Sequence, residues 1–236
     1  MIVPIDKPSG PTSAQAVRRI STAAGLPAGH AGTLDPGATG LLVVCLGEAR
    51  KLTSLLAGHD KAYCATVRLG VATDTLDAWG AVVGERPVPA IDAQAVERAA
   101  AGFVGRIVQE VPAFSAVKRG GRPLHRDARK GRAVDAPSRE VSVHSIRVRS
   151  AGGVSFEMDV SCGPGTYIRS LARDIALALG TVGHVAALRR LRSGPLSVEG
   201  APGLDEAVQA ALDGRIGERS VPHIAALSGY RMLLAG

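Results

Sequence analysis

Residues 29–47 read GHAGTLDPGATGLLVVCLG, and they leave the chain few choices. Four glycines and one Asp-Pro pair stand ahead of the apolar run LLVVCL (41–46), which reads as a buried strand. The turn-formers surround a single carboxylate, Asp35, and the chain then enters its core. Asp at i, Pro at i+1 and Gly at i+2 suit a type II turn, because Pro presets φ and Gly accepts φ > 0. On that tripeptide alone a structural turn is the simpler reading. A loop holding an acid at the mouth of an active site is the alternative. The loop is not a P-loop, since no Lys-Ser or Lys-Thr follows its glycines, and no dinucleotide fingerprint is present.

The rest of the chain supplies strands and helices in irregular order. Residues 1–6 read as a short strand and Pro8-Ser9-Gly10 as a turn. Thr12 can cap a helix with Val17, Ile20 and Ala24 along one side. A short helix is expected over 48–57. KAYCATVRLG alternates Tyr63, Ala65, Val67 and Leu69 against Ala62, Cys64, Thr66 and Arg68, which is strand periodicity. TDTLDAWG followed by AVVGE suggests its hairpin return. Asp92 caps a helix through about Phe103, and residues 140–149 and 154–162 read as two strands joined at Gly152-Gly153. Thr166 to Leu179 reads as a helix closed by Gly180. VAALRRLRS, from Val185, returns to the sheet, and a last helix lies near 204–213. Strands mostly in hairpins, with helices between them, predict an α+β fold rather than a βαβ array.

An apolar fraction of 46% suits a globular chain with a core. No apolar run approaches the roughly 18–20 residues of a membrane span. The start, MIVPIDKPSG, lacks the basic and apolar regions of a signal peptide, which predicts a cytoplasmic protein. Cys45, Cys64 and Cys162 form no CxxC pair, which argues against a zinc site or a disulfide framework and predicts buried, reduced thiols.

Charge is distributed one-sidedly. The net charge is +7, and KRGGRPLHRDARKGR (118–132) holds Lys118, Arg119, Arg122, Arg126, Arg129, Lys130 and Arg132 against Asp127 alone. Such a cluster is the footprint of a polyanion partner, with a merely soluble basic loop as the plainer reading. Of seven Phe, Trp and Tyr residues, two tyrosines stand among polar neighbours: Tyr63 in KAYC and Tyr167 after CGPG. Each could be a half-buried structural residue or a flat face for a base. In GPGTYIRSLARD, Gly163 and Gly165 would leave backbone N–H groups for an anion at a helix start. Arg169 and Arg173, four apart, share a helix face. Such a pair is commonly solvated, yet an arginine beside a catalytic carboxylate would keep it ionised.

Six segments, DKPSGPTS (6–13), GHAGTLDPGATGLL (29–42), KAYCATVRLGVATDTLDAWG (61–80), QEVPAFSAVKRGGRPLHRDARKG (109–131), GPGTYIRSLARDI (163–175) and HVAALRRL (184–191), occur in one order. Together they resemble the TruB family of pseudouridine synthases, the bacterial tRNA pseudouridine-55 synthases, and they include its GHxGxLDPxAxG signature. The resemblance spans the chain to about residue 200. It implies a mixed, mostly antiparallel sheet flanked by helices, with a central active-site cleft. It also implies a reaction on a T-loop uridine of tRNA that needs no cofactor and no metal.

By that resemblance Asp35 is the essential carboxylate, which attacks C1′ or takes the C2′ proton; the residues do not choose between these routes. Arg169 would pair with Asp35, and Lys7 would support the region. Tyr63 would stack on the flipped base, Tyr167 and Leu188 would line its pocket, and His30 would fill the space the uridine leaves. The segment 118–132 corresponds to the family's RNA-gripping insertion. Phe114 and His125 stand where the family often has Tyr. Only 36 residues (201–236) follow the last segments, so the expected organisation is a catalytic domain over 1–200 and a short tail without a full PUA domain. The implied partner is tRNA, through its T loop and T stem. Neither a membrane nor an obligatory protein partner is implied, and the implied assembly is a monomer. The rival readings are a non-catalytic tRNA-binding chaperone, the guide-RNA-directed branch of the family, and a small-molecule glycosidase. The last would ask for two facing carboxylates, where this loop offers one.

Overall fold

The computed structural model describes residues 1–115, 117–119, 122–124 and 136–228. They fall into two compact units, one of Met1–Tyr63 with the chain from Arg189 onward, the other of Cys64–Leu188. The backbone passes between units inside two strands, β4 (Lys61–Leu69) and β12 (Gly183–Ser193).

In the first unit β1 (Ile2–Lys7) pairs antiparallel with β3 (Thr39–Leu46), from Ile2 opposite Cys45 to Lys7 opposite Gly40. The run LLVVCL is fully buried within β3, as its uninterrupted apolar character predicts. β2 (Ala28–Ala31) lies antiparallel to β3 as well. The end of β12 runs parallel to β3, with Arg190 beside Gly40, and β13 (Leu196–Ser197) folds back on β12. The helix Ser13–Ala24 starts at a capping box: Thr12 Oγ1 accepts from the Gln15 N–H while Gln15 Oε1 accepts from the Thr12 N–H. It buries Ala16, Val17 and Ile20. Residues 48–57 split into a 3-10 turn (Gly47–Leu52) and a short helix (Thr53–Ala57). After residue 200 the helix Leu204–Leu212 packs on Ser13–Ala24, the helix His223–Leu227 follows, and the Val221 N–H donates to the Ile2 carbonyl at 2.8 Å.

In the second unit β4 lies between β12 and β11 (Ser155–Cys162), and β10 (Ser138–Gly152) pairs antiparallel with both β11 and β7 (Gly105–Glu110). β4 alternates as expected, with Ala65, Val67 and Leu69 buried and Arg68 exposed. Two small ribbons stand apart: β5 (Val71–Thr73) with β6 (Val82–Glu85), and β8 (Lys118–Arg119) with β9 (Arg122–Pro123). The hairpin return expected from AVVGE onto β4 therefore does not form. Both sides of β4 are taken by β11 and β12, which leaves β6 to pair with β5.

The helix Ala93–Ala101 is capped by Asp92, whose carboxylate accepts from the Ala95 N–H at 2.7 Å. The helix Ile168–Ala178 begins two residues later than Thr166. Thr166 Oγ1 donates to the Gly163 carbonyl, and the Tyr167 N–H donates to Gln109 Oε1, so both residues are engaged outside the helix. Helices and a mixed, mostly antiparallel sheet make the fold α+β, as the sequence predicts. No helix among the described residues is long and apolar enough to cross a membrane. Cys45 and Cys162 are buried, Cys64 is half-buried, and all three are free thiols.

Candidate active site

The Asp35 loop belongs to the first unit. The Asp35 carbonyl accepts from the Ala38 N–H at 3.1 Å, which closes the turn. Positive φ falls on Gly32 (86°) and Gly40 (98°) and not on Gly37, so the expected type II geometry is absent. Pro at i+1 suits type I equally, and Gly permits φ > 0 without requiring it.

Contacts from both sides hold this loop. The Pro36 carbonyl accepts from the Gly10 N–H at 2.9 Å and from Lys7 Nζ at 3.2 Å. Lys7 Nζ also donates to the Pro8 and Pro11 carbonyls at 2.7 and 2.9 Å, so all three ammonium protons are used. Ser13 Oγ accepts from the Leu34 N–H at 2.8 Å and donates to the Leu34 carbonyl at 2.9 Å. From the other side Arg190, only 1% exposed, donates from Nε to the Leu41 carbonyl at 2.7 Å and from Nη2 to the Gly32 carbonyl at 3.0 Å. A Cβ on Gly40 would stand 2.2 Å from the Arg190 carbonyl oxygen, so the close approach of β3 and β12 requires glycine there. The segment DKPSGPTS and the loop GHAGTLDPGATG thus form one hydrogen-bonded body that fixes the backbone carrying Asp35.

Two cations act on the electrostatics of the loop. Lys7 is wholly buried, and desolvation pulls its pKa from the ordinary 10.5 to about 8. The Asp35 charge raises it in part, and the Arg190 charge lowers it. His30, on β2, has its pKa lowered by burial first and by Arg190 second, which favours the neutral ring. Its Nδ1 is buried with no hydrogen-bond partner among the described residues. Tyr63 is 9% exposed on β4, so it is more deeply buried than a half-buried strand residue.

The second unit holds the other set. Arg169 is 4% exposed, so of the two readings of the Arg169 and Arg173 face the solvated one fails at Arg169, and Arg173 is half-buried. Its Nη1 donates to the Thr75 carbonyl at 2.6 Å and lies 3.8 Å from Asp77 Oδ2, and its Nη2 donates to the Phe114 carbonyl at 3.1 Å. Arg173 is paired with Glu110 and Asp174. Gln109, wholly buried, grips the Tyr167 backbone on both its N–H and its carbonyl, at 2.9 and 3.2 Å. The Arg139 guanidinium lies 5.6 Å from the centroid of the Tyr167 ring. The Gly163 N–H donates to the Ser142 carbonyl at 2.8 Å, so it is not offered to an anion as expected. Leu188 is half-buried on β12. Of the basic cluster, Lys118 and Arg119 form β8 and Arg122 opens β9; Arg126, Arg129, Lys130 and Arg132 lie outside the described residues, as does His125.

Sequence reasoning missed Arg190, Ser13, Gln109 and Asp77. Arg190 stands in LRRLR, where arginines read as surface, and no alternation along β12 marks it as inward-facing: Arg192, two residues on, is exposed.

The fold is that of the pseudouridine synthases. Two solved structures, "Crystal Structure of a Cbf5-Nop10-Gar1 Complex" and "Structure of H/ACA RNP bound to a substrate RNA containing 2'-deoxyuridine", are similar with TM-scores of 0.72 and 0.71 and identities of 31% and 28%. Each similarity covers 95% of this chain and 60% of that one. The chain belongs to the TruB family: the family model "TruB family pseudouridylate synthase (N terminal domain)" matches residues 18–168, and "tRNA pseudouridylate synthase B C-terminal domain" matches 169–215. A curated relative from Xanthomonas campestris pv. campestris (strain B100), named tRNA pseudouridine synthase B, is 51% identical over 193 residues, 80% of this chain and 62% of that protein. A relative of the same name from Xylella fastidiosa (strain Temecula1 / ATCC 700964) is 44% identical over 236 residues, 98% of this chain and 78% of that protein. The chain therefore spans less than two thirds of the first relative's length.

Proposed function

We propose that this chain converts uridine to pseudouridine at position 55, in the T loop of tRNA, without cofactor or metal. The N1–C1′ bond breaks, the uracil turns in its pocket, and C5 bonds to C1′ before losing its proton. The observation that carries this reading is the Asp35 turn, pinned through Pro36 by Lys7 and Gly10 and flanked by the Arg190 clamp, in a chain of the TruB family. A preorganised carboxylate can attack C1′ as a nucleophile or accept the C2′ proton, and either route needs its oxygens held still. Arg169 serves as the cation that keeps Asp35 ionised. Tyr63 stacks on the extruded base, Tyr167 and Leu188 line its pocket, and neutral His30 occupies the gap in the T loop. Extrusion costs a few kcal/mol, which aromatic stacking largely offsets. Residues 118–132 grip the RNA backbone. The chain acts in the cytoplasm as a monomer, without a protein partner.

The test is release of tritium from tRNA labelled at uridine C5, since only new bonding at C5 expels that hydrogen. The wild-type chain should release it from a bare transcript, which separates this reading from the guide-RNA-directed one. Asp35→Asn should abolish release while tRNA affinity stays within about threefold, because the amide keeps the shape and loses the charge. Normal turnover by that variant would overturn the assignment, and no release by the wild type would favour the chaperone.

A further inference from the structure

Along β7, Val108 and Glu110 are exposed, yet Gln109 between them is wholly buried. Strand alternation turns Gln109 inward, but a position that only had to pack would take an apolar side chain. A buried amide must find partners for both its donor and its acceptor. Gln109 uses both on one residue. Its Oε1 accepts from the Tyr167 N–H at 2.9 Å, and its Nε2 donates to the Tyr167 carbonyl at 3.2 Å. Turning the amide over would set N–H against N–H and oxygen against oxygen, so the pairing fixes which way it lies.

Tyr167 stands just before the helix Ile168–Ala178 with an extended backbone, φ −101° and ψ 110°, and its own side chain makes no capping hydrogen bond. A serine or aspartate there would anchor the turn through its side chain. Gln109 supplies the anchor instead, from 58 residues earlier in the chain. The residues that follow are tied to the same strand: Ser170 Oγ donates to the Glu110 carbonyl at 2.8 Å, and Arg173 Nη1 donates to Glu110 Oε2 at 3.0 Å. The ring is held separately. Arg139 is directly opposite Gln109 in the register of β10 and β7, which puts both side chains on one face. Its guanidinium lies 5.6 Å from the centroid of the Tyr167 ring. Gly165 leaves room for that guanidinium, since a Cβ there would stand 3.0 Å from Arg139 Nη1. Two facing strand residues thus hold one tyrosine, the first at its backbone and the second at its ring. Such preorganisation matters where a ring meets a substrate, because a misplacement of about 1 Å can cost roughly a hundredfold in rate.

We infer that Gln109 is a positioning residue for Tyr167: it sets the tyrosine ring against the reacting uracil without touching the RNA itself. This rests on the RNA-modifying reading above, in which Tyr167 lines the base pocket.

Two variants keep the size of Gln109 and change its partners. Gln109→Glu retains the acceptor and loses the donor, and Gln109→Met loses both. The chain has three tyrosines, so ring-labelled tyrosine gives few NMR signals, and Tyr167→Phe identifies the signal of Tyr167. In either Gln109 variant that signal should shift or split while the Tyr63 signal stays in place. An unmoved Tyr167 signal would overturn the inference, as would equal movement at Tyr63, the mark of a generally loosened fold. On a T-arm hairpin both variants should lower kcat roughly tenfold or more with KM within about threefold, because they displace a pocket wall and leave the rest of the RNA contact alone. In a Tyr167→Ala background, followed by single-turnover rates, the same substitutions should cost less than about twofold, since no ring is left to position. Equal losses in both backgrounds would overturn the inference and give the effect to Arg169 in the same turn. Wild-type kcat in Gln109→Met would overturn it as well. The tyrosine signals require no turnover, so a wild type that releases no tritium would sink the catalytic reading and leave the hold on Tyr167 to be judged by them.

Discussion

Lys7 places an ammonium group where water does not reach, and it does so to hold the carbonyl next to Asp35. The cost appears in its pKa, lowered from 10.5 to about 8 by burial. Between those two values the unfolded chain keeps the proton and the folded chain has released it. The unfolded state then binds more protons, so this group's own contribution to stability rises with pH across that window. Function should move the other way. Above about pH 8 the neutral amine has two donors for three carbonyls, and Asp35 loses a nearby positive charge. We expect kcat to fall as pH rises through about 8, while denaturant midpoints show no matching loss from this residue. Lys7→Met should lower kcat at pH 7 roughly tenfold or more and erase that limb of the profile, since a buried carbonyl left short of a donor costs about 1–3 kcal/mol. A limb that persists in Lys7→Met would assign it to another group.

At the scale of elements, the strand β3 depends on how near β12 comes to it. Gly40 and Gly47 both have positive φ, at 98° and 59°, yet only Gly40 faces a neighbour. An alanine Cβ at 40 would meet backbone at 2.2 Å, whereas at 47 it would find open space. Gly47→Ala should cost about 1–2 kcal/mol, the left-handed penalty alone. Gly40→Ala should cost roughly 3 kcal/mol or more, or fail to fold, because backbone cannot move aside as a flexible side chain can. Equal losses in urea unfolding would refute the close approach. The same strands mark where sequence could be read. LLVVCL, the alternation of β4 and the Thr12 cap were legible because each is a local pattern of spacing. The partner of AVVGE was not, since alternation says that a segment is a strand but not which edge is vacant. Arg190 was illegible for a related reason: what buries it are carbonyls of Gly32 and Leu41, some 150 residues earlier in the chain. At Asp35 the turn was legible and its type was not, because Pro-Gly satisfies two geometries.

For the molecule as a whole, the unit carrying Asp35 is assembled from both ends of the sequence, whereas Cys64–Leu188 is one continuous stretch. The Asp35 loop is therefore clamped only once Arg190 has arrived, late in the chain. Charge follows a different division. The net charge is +7, and the fifteen residues from 118 to 132 hold seven cations and one acid, so the remainder of the chain is close to neutral. Long-range attraction to the proposed RNA substrate would then come from that segment, and it should be strongly screened. Each phosphate neutralised contributes about 0.7–0.9 to the slope of log K against log salt. With four of the seven cations engaged, tRNA affinity should fall roughly a hundredfold between 50 and 200 mM salt. Replacing Arg126, Arg129 and Lys130 together by Gln should flatten the slope by about 2 to 3. It should also leave kcat at saturating tRNA unchanged, because the proposed role of those side chains is to take phosphates and not the reacting base. A slope that survives the triple substitution would move the RNA grip to the rest of the surface. There the charge is too evenly mixed to supply it, so the sequence-local cluster and the salt dependence stand or fall together.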